Sequence, residues 1–195
     1  MLCIIPSYML KQIARNGTPA QKNFALKALA LTAQLYGQRL AFAEAFRELI
    51  TLPTTEVKYR AVYSADYSET LPGRLVRQEG DPPVNDAAAN EAYEGAGLTY
   101  DLFREVYGRN SIDGNGMRLN STVHYGQGYD NAFWNGQQMV YGDGDEDLPP
   151  EERLFNRFTI ALDVIGHELT HGVTQHEANL TYFGQPGALN ESFSD

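Results

Sequence analysis

Apolar residues recur at helical spacing through the first fifty positions. Phe24, Ala28, Leu31 and Leu35 make one stripe, and Phe42, Phe46 and Leu49 continue an apolar face. From Thr18 to about Ile50 the chain is rich in Ala, Leu, Gln and Lys, which favour helix, and Thr18-Pro19 reads as an N-cap followed by proline at the first helical position. Gly37 is expected to divide this stretch into two shorter helices. The pattern then changes period. Residues 57–80, beginning VKYRAVYS, are rich in β-branched and aromatic residues and read as strands around a turn at Leu71-Pro72-Gly73-Arg74. A helix is expected from Asp86 to Tyr107, with Tyr93, Tyr100, Phe103 and Val106 facing inward and Gly95 and Gly97 weakening its middle. Asp113-Gly114-Asn115-Gly116 is a turn, and strands are expected at 118–125 and 137–141, flanking a loop NAFWNG. Leu162, Val164, Ile165, Leu169 and Val173 are apolar on several sides of a further helix, which predicts that it is largely buried. Strands with a long helix, followed by more helix, give an α+β class.

Composition narrows the partners. The 195 residues are 43% hydrophobic, enough for a proper core, in one domain or a domain plus an appendage. A formal charge of -10 argues against nucleic acid and anionic membrane as partners. A single cysteine, Cys3, excludes an internal disulfide framework. No apolar run approaches the length of a membrane span, and MLCIIPSYMLKQ has no basic n-region and only a four-residue apolar patch before Pro6, so it is not a conventional secretory signal. Secretion by a non-standard route is preferred over a cytoplasmic location.

The chemistry concentrates near the end of the chain, in DVIGHELTHGVTQHEANLTYFGQPGALNESFSD. His167, Glu168 and His171 form H-E-x-x-H, which on a helix puts both imidazoles on one face, able to reach a single ion. Glu168 sits beside them, placed to act on a metal-bound water. A hydrolytic zinc usually takes three protein ligands, and Glu191, twenty residues beyond His171, is the nearest good candidate for the third. Asp195, four residues later, is placed to accept a hydrogen bond from a ligand histidine's outer nitrogen. On a largely buried helix, unpaired His and Glu would be costly, which favours the metal reading over a solvated helix face.

HELTH followed by GALNESFSD, together with the upstream block STVHYGQGYDNAFWNGQQMVYGDG, resembles the thermolysin family of zinc endopeptidases from about Val62 to Asp195. The resemblance implies that His167, His171 and Glu191 bind zinc, that Glu168 is the general base, that Asp195 orients a ligand histidine, and that Tyr182 helps stabilise the tetrahedral oxyanion. It implies that Asn131 and Ala132 hydrogen-bond the substrate backbone, that Phe133 helps line a subsite, and that Phe155 and Val164 line an apolar pocket. That pocket favours cleavage of peptide and protein substrates on the N-terminal side of bulky hydrophobic residues. Asp163 matches one carboxylate of the family's calcium site, whose other ligands would lie beyond Asp195. IIPSYML and the helix after it are similar to the short propeptide of the protealysin subgroup. Residues 1–52 then form a propeptide-like helical segment and linker that inhibits the enzyme. Residues 53–195 form the β-rich N-terminal lobe of the peptidase with its central zinc-binding helix. The family's further histidine and arginine, in a C-terminal helical lobe, have no counterpart here. The expectation is therefore a piece of a longer enzyme that binds zinc, self-associates and hydrolyses peptides slowly.

Several residues carry two readings. Trp134 fits either a subsite or the core, His124 is read as structural, and Asp143-Gly144-Asp145-Glu146-Asp147 is either a calcium loop or a solvated acidic one. Cys3 is a packing residue or a zinc-capping thiolate, beside simple steric blockage by the prosegment. Two other classes remain open: an inactive zinc-binding relative, and a structural zinc module, which would have a closed four-ligand site.

Overall fold

The computed structural model describes residues 4–45, 57–146, 148–180 and 184–195, with backbone alone over 35–45. Two helices come first, α1 (Ser7–Asn16) and α2 (Pro19–Ala45). The body follows: β1 (Arg60–Ser64), β2 (Arg74–Gln78), α3 (Ala87–Tyr107), β3 (Leu119–Val123), β4 (Ala132–Trp134), β5 (Met139–Tyr141), α4 (Leu162–Glu177) and α5 (Gly184–Ser194). The strands form one mixed sheet in the order β2-β1-β3-β5-β4, with β1/β3 and β3/β5 parallel and the two outer pairings antiparallel. This is an α+β fold. Among the described residues, no helix is long and apolar enough to cross a membrane.

Local chemistry explains where the helices start. Thr18 and Gln21 cap α2 reciprocally: the Gln21 N–H donates to Thr18 Oγ1 at 3.3 Å, and the Thr18 N–H to Gln21 Oε1 at 2.9 Å. The helix runs through Gly37 without the expected break, because one glycine costs about 1 kcal/mol and strong helix formers surround it. The first helix, α1, has no counterpart among the expected elements. It begins immediately after Pro6 and buries Leu10 completely. Asp86 caps α3 by accepting the Ala89 N–H, and Gly108 ends that helix in the left-handed region at φ 64°.

Two apolar clusters sandwich the sheet. The main core joins Val62, Leu119, Val123 and Met139 to Ala92, Tyr93 and Ala96 of α3 and to Ile165 and Leu169 of α4. The second joins Leu10, Ala25 and Ala28 of the first two helices to Tyr125, Tyr129, Phe133 and Val140 of the body. Gly95 and Gly97 are close-approach points rather than weak spots. A Cβ on Gly95 would stand 2.3 Å from Ile165 Cδ1, and one on Gly97 the same distance from the Arg60 guanidinium. The first contact lets α4 lie against α3.

Three further expectations need correction. Val106 is 63% exposed rather than inward. Steps of three residues on a 3.6-residue turn lag by about 60° each, so Val106 stands about 120° round the helix from buried Tyr100. Leu162, at the first turn of α4, is exposed, while Ile165 and Leu169 are fully buried. NAFWNG is not simply a loop. Its centre is β4, buried on both faces, so it lacks the alternation that marks a half-exposed strand.

Candidate functional site

The helix α4 presents His167 and His171 toward α5 and Glu168 toward β4. All three are buried, and the imidazole rings meet edge to face with centroids 4.7 Å apart. From α5 come Asn190, Glu191 and Ser194, and Asp195 follows immediately after the helix, four positions at helical spacing. Glu191 Oε2 lies 3.4 Å from His167 Nε2 and 3.8 Å from His171 Nε2. One ligand atom from each of the three residues falls within 4.8 Å of the others.

The outer ring nitrogens are held separately. His167 Nδ1 meets Asp195 Oδ1 at 2.8 Å, and His171 Nδ1 meets both Asn190 Oδ1 and Ser194 Oγ at 2.9 Å. With the Nδ1 side of each ring engaged in this way, the two Nε2 atoms face the Glu191 carboxylate, and two nitrogens with a carboxylate oxygen make a donor set suited to zinc. Burial alone would lower the His167 pKa, but the carboxylates of Glu191, Glu168 and Asp195 outweigh it and raise it. Burial likewise opposes ionisation of Glu191, and the two imidazoles reverse that, lowering its pKa.

Glu168 is fully buried, and its Oε2 accepts the backbone N–H of Trp134 at 2.9 Å. The Trp134 indole N–H donates to Gln175 Oε1 at 3.0 Å, and Gln175 Nε2 donates to the Gly136 carbonyl at 3.3 Å. Strand β4 is thus pinned to α4 at Glu168 and again two turns further along, at Gln175. Trp134 is 1% exposed, which places it in the core.

Strand β4 is the sheet edge, and residues 4–5 lie along it. The Ile5 N–H donates to Asn131 Oδ1 at 3.0 Å, Asn131 Nδ2 donates to the Ile5 carbonyl at 3.3 Å, and the Ile4 N–H donates to the Ala132 carbonyl at 3.4 Å. Ile5 faces Asn131 and Ile4 faces Ala132, so the two segments run antiparallel. Phe133 is fully buried in the second core under Leu10, edge to face with Tyr125 and Tyr129. Phe155 and Val164 are partly buried at the margin of the main core, Phe155 against Phe158.

The remaining candidates scatter. Asp163 is exposed in the first turn of α4, and its Oδ1 accepts the Val164 N–H. The only cluster of three or more His, Cys, Asp or Glu able to hold a metal among the described residues is His167, His171 and Glu191, so Asp163 joins none. In the acidic run, Asp143 pairs with His124 at 2.6 Å, Asp145 accepts the N–H groups of Leu154 and Phe155, and Glu146 holds Arg157. His124 also contacts Asp86 at 3.1 Å, and the two carboxylates, Asp143 foremost, raise its pKa to about 9 against the effect of burial. Tyr182, Cys3 and Asp147 lie outside the described residues. Sequence reasoning missed Asn190, Ser194 and Gln175. Ser194 and Gln175 sit one turn beyond residues it did find, Glu191 and His171, and Asn190 directly precedes Glu191 one turn before Ser194, so helical spacing was the available signal.

Comparison with known proteins places this geometry. Residues 27–175 match the family model described as thermolysin metallopeptidase, catalytic domain. The chain is 49% identical over 192 residues to an extracellular metalloprotease of Pectobacterium carotovorum subsp. carotovorum, covering 98% of this chain and 52% of the relative. It is 53% identical over 136 residues to thermolysin of Alicyclobacillus acidocaldarius subsp. acidocaldarius, covering 68% of this chain and 24% of that protein. Its fold matches the precursor of protealysin, a metalloproteinase from Serratia proteamaculans, with TM-score 0.81 and 45% identity, over 100% of this chain and 53% of the other. The chain therefore spans about half the length of the Pectobacterium relative and of the protealysin precursor, and its match spans about a quarter of the thermolysin sequence. With the H-E-x-x-H helix, the third carboxylate and the edge strand all in place, the chain belongs to the thermolysin metallopeptidase family.

Proposed function

We propose that this chain carries the zinc site and part of the substrate cleft of a neutral endopeptidase precursor, which cleaves on the N-terminal side of bulky hydrophobic residues. The observation that carries the reading is the convergence of His167, His171 and Glu191 beside a buried Glu168. Zinc, when bound by those three, would supply Lewis acidity, lowering the pKa of water and polarising the scissile carbonyl. Glu168, its carboxylate held by the Trp134 N–H, takes a proton from the attacking water. The C–O bond forms as that proton leaves, and Glu168 returns it to the leaving nitrogen as the C–N bond breaks. Asp195 holds the proton on His167 Nδ1, and Tyr182 donates to the oxyanion. Asn131 and Ala132 grip the substrate backbone by strand addition, with Phe133 beside them. Phe155 and Val164 line the apolar pocket, and Asp163 is the candidate calcium ligand.

Residues 1–52 act as the propeptide. What supports this is the position of Ile4 and Ile5, whose backbone groups take the Asn131 side-chain amide and the Ala132 carbonyl that a substrate would need. The inhibitory segment competes through its backbone groups, and Leu10 with Ala25 and Ala28 of α2 packs in one cluster with Phe133. Export fits the extracellular metalloprotease among the relatives.

The test is metal stoichiometry with peptide hydrolysis. After zinc loading and desalting, one zinc per chain is expected. His171→Ala should abolish this and Glu191→Ala weaken it sharply, and a chelator should stop cleavage of casein peptides. Stoichiometric zinc retained in both variants would overturn the assignment.

A further inference from the structure

We propose that Ser194 is a positioning residue that fixes the tautomer of His171, an inference that rests on the metal-site reading above. His171 is fully buried, and its Nδ1 lies 2.9 Å from two groups, Asn190 Oδ1 and Ser194 Oγ. A neutral imidazole carries one N–H, and the metal-binding form needs it on Nδ1 so that Nε2 keeps its lone pair. Asn190 by itself does not decide this. An asparagine amide can turn either its oxygen or its nitrogen toward a ring nitrogen, and so accommodates both tautomers.

Ser194 does decide it. Its single hydroxyl proton donates to the Asn190 main-chain carbonyl at 3.0 Å, one turn back along α5. The oxygen then has only lone pairs to offer His171, so Ser194 Oγ accepts and the proton must reside on Nδ1. At His167 the same task falls to the Asp195 carboxylate, which cannot donate when ionised. Ser194 at the end of α5 and Asp195 just after it thus orient the two histidines of α4, one by a committed hydroxyl and one by a charge.

The experiment compares wild type with Ser194→Ala and Ser194→Thr, by zinc affinity against a fluorescent chelator and by long-range nitrogen–proton NMR of His171 in the metal-free protein. Wild type should show the Nδ1–H tautomer. Ser194→Ala should show both tautomers and about tenfold weaker zinc binding, with the metal-free melting temperature unchanged. Ser194→Thr, which keeps the hydroxyl, should restore both readouts. An Nε2–H tautomer in wild type, or wild-type affinity and tautomer in Ser194→Ala, would overturn the proposal. So would a fall in melting temperature alone, which marks a purely structural serine. The tautomer needs no metal to be read, so failure of wild type to bind zinc, which sinks the metal-site reading, is distinguishable from failure of Ser194 to set the proton.

Discussion

Trp134 donates its backbone N–H to Glu168 Oε2 across 2.9 Å, so the candidate base and the sheet edge that would bind a peptide form one mechanical unit. A buried carboxylate without such a donor would be costly to keep ionised, and a strand free to slide would carry the substrate past it. Glu168→Gln keeps an acceptor for that N–H and removes only the basicity. The variant should fold and bind zinc like wild type, while peptide hydrolysis falls by about 10²- to 10⁴-fold. Turnover close to wild type, measured on a zinc-loaded sample, would remove Glu168 from the base role.

Asn131 ties residues 4–5 to the sheet edge through two hydrogen bonds, and its Oδ1 also accepts the Ala132 N–H. Asn131→Ala should cost about 1–3 kcal/mol, because the Ile5 N–H and carbonyl lose their partners in a half-buried setting. The direct readout is hydrogen exchange at the Ile5 amide, expected to speed up while amides of β3 stay protected. An unchanged Ile5 exchange rate would show that the segment is held elsewhere.

His124 lies between Asp143 and Asp86, with its pKa raised to about 9 from an ordinary value of 6.5. Because the folded-state pKa is raised, the stabilisation is fully present below about pH 6.5 and is lost as pH rises through about 9. His124→Gln should therefore destabilise the fold at pH 6 by about 2 kcal/mol, allowing for solvent screening at a partly exposed site. The gap between the two proteins should close above pH 9, as followed by denaturant melts. A gap independent of pH would point to packing rather than charge.

Asp130 is 1% exposed, and burial, helped by the charge of Asp145, raises its pKa from 3.8 to about 7. The folded state holds the proton more tightly than the unfolded chain. Stability from this group is therefore greatest below about pH 3.8, declines as pH rises to about 7, and is level beyond. Asp130→Asn removes the charge and should raise the melting temperature at pH 8, with the advantage shrinking toward pH 4. A variant less stable than wild type at pH 8 would mean that the ionised carboxylate has a favourable partner in the fold.

The residues of the zinc-type centre were legible because a helix imposes its own geometry. His167 and His171 are four apart, and so are Glu191 and Asp195, whatever surrounds them. The caps at Thr18 and Asp86 are equally local, a side chain answering an N–H three residues on. What no local rule supplies is which faces meet. Docking of α5 on α4 turned Asn190 and Ser194 toward His171, and Gly95 let α4 approach α3 closely enough to build the main core. Strand β4 escaped the pattern because both its faces are buried, so Ala132-Phe133-Trp134 carries no alternation. The contact between residues 4–5 and Asn131 spans 126 positions in sequence. It joins the backbone of Ile5 to the side-chain amide of one distant asparagine, so no local side-chain pattern could announce it, and only the assembled sheet edge decided where that segment would lie.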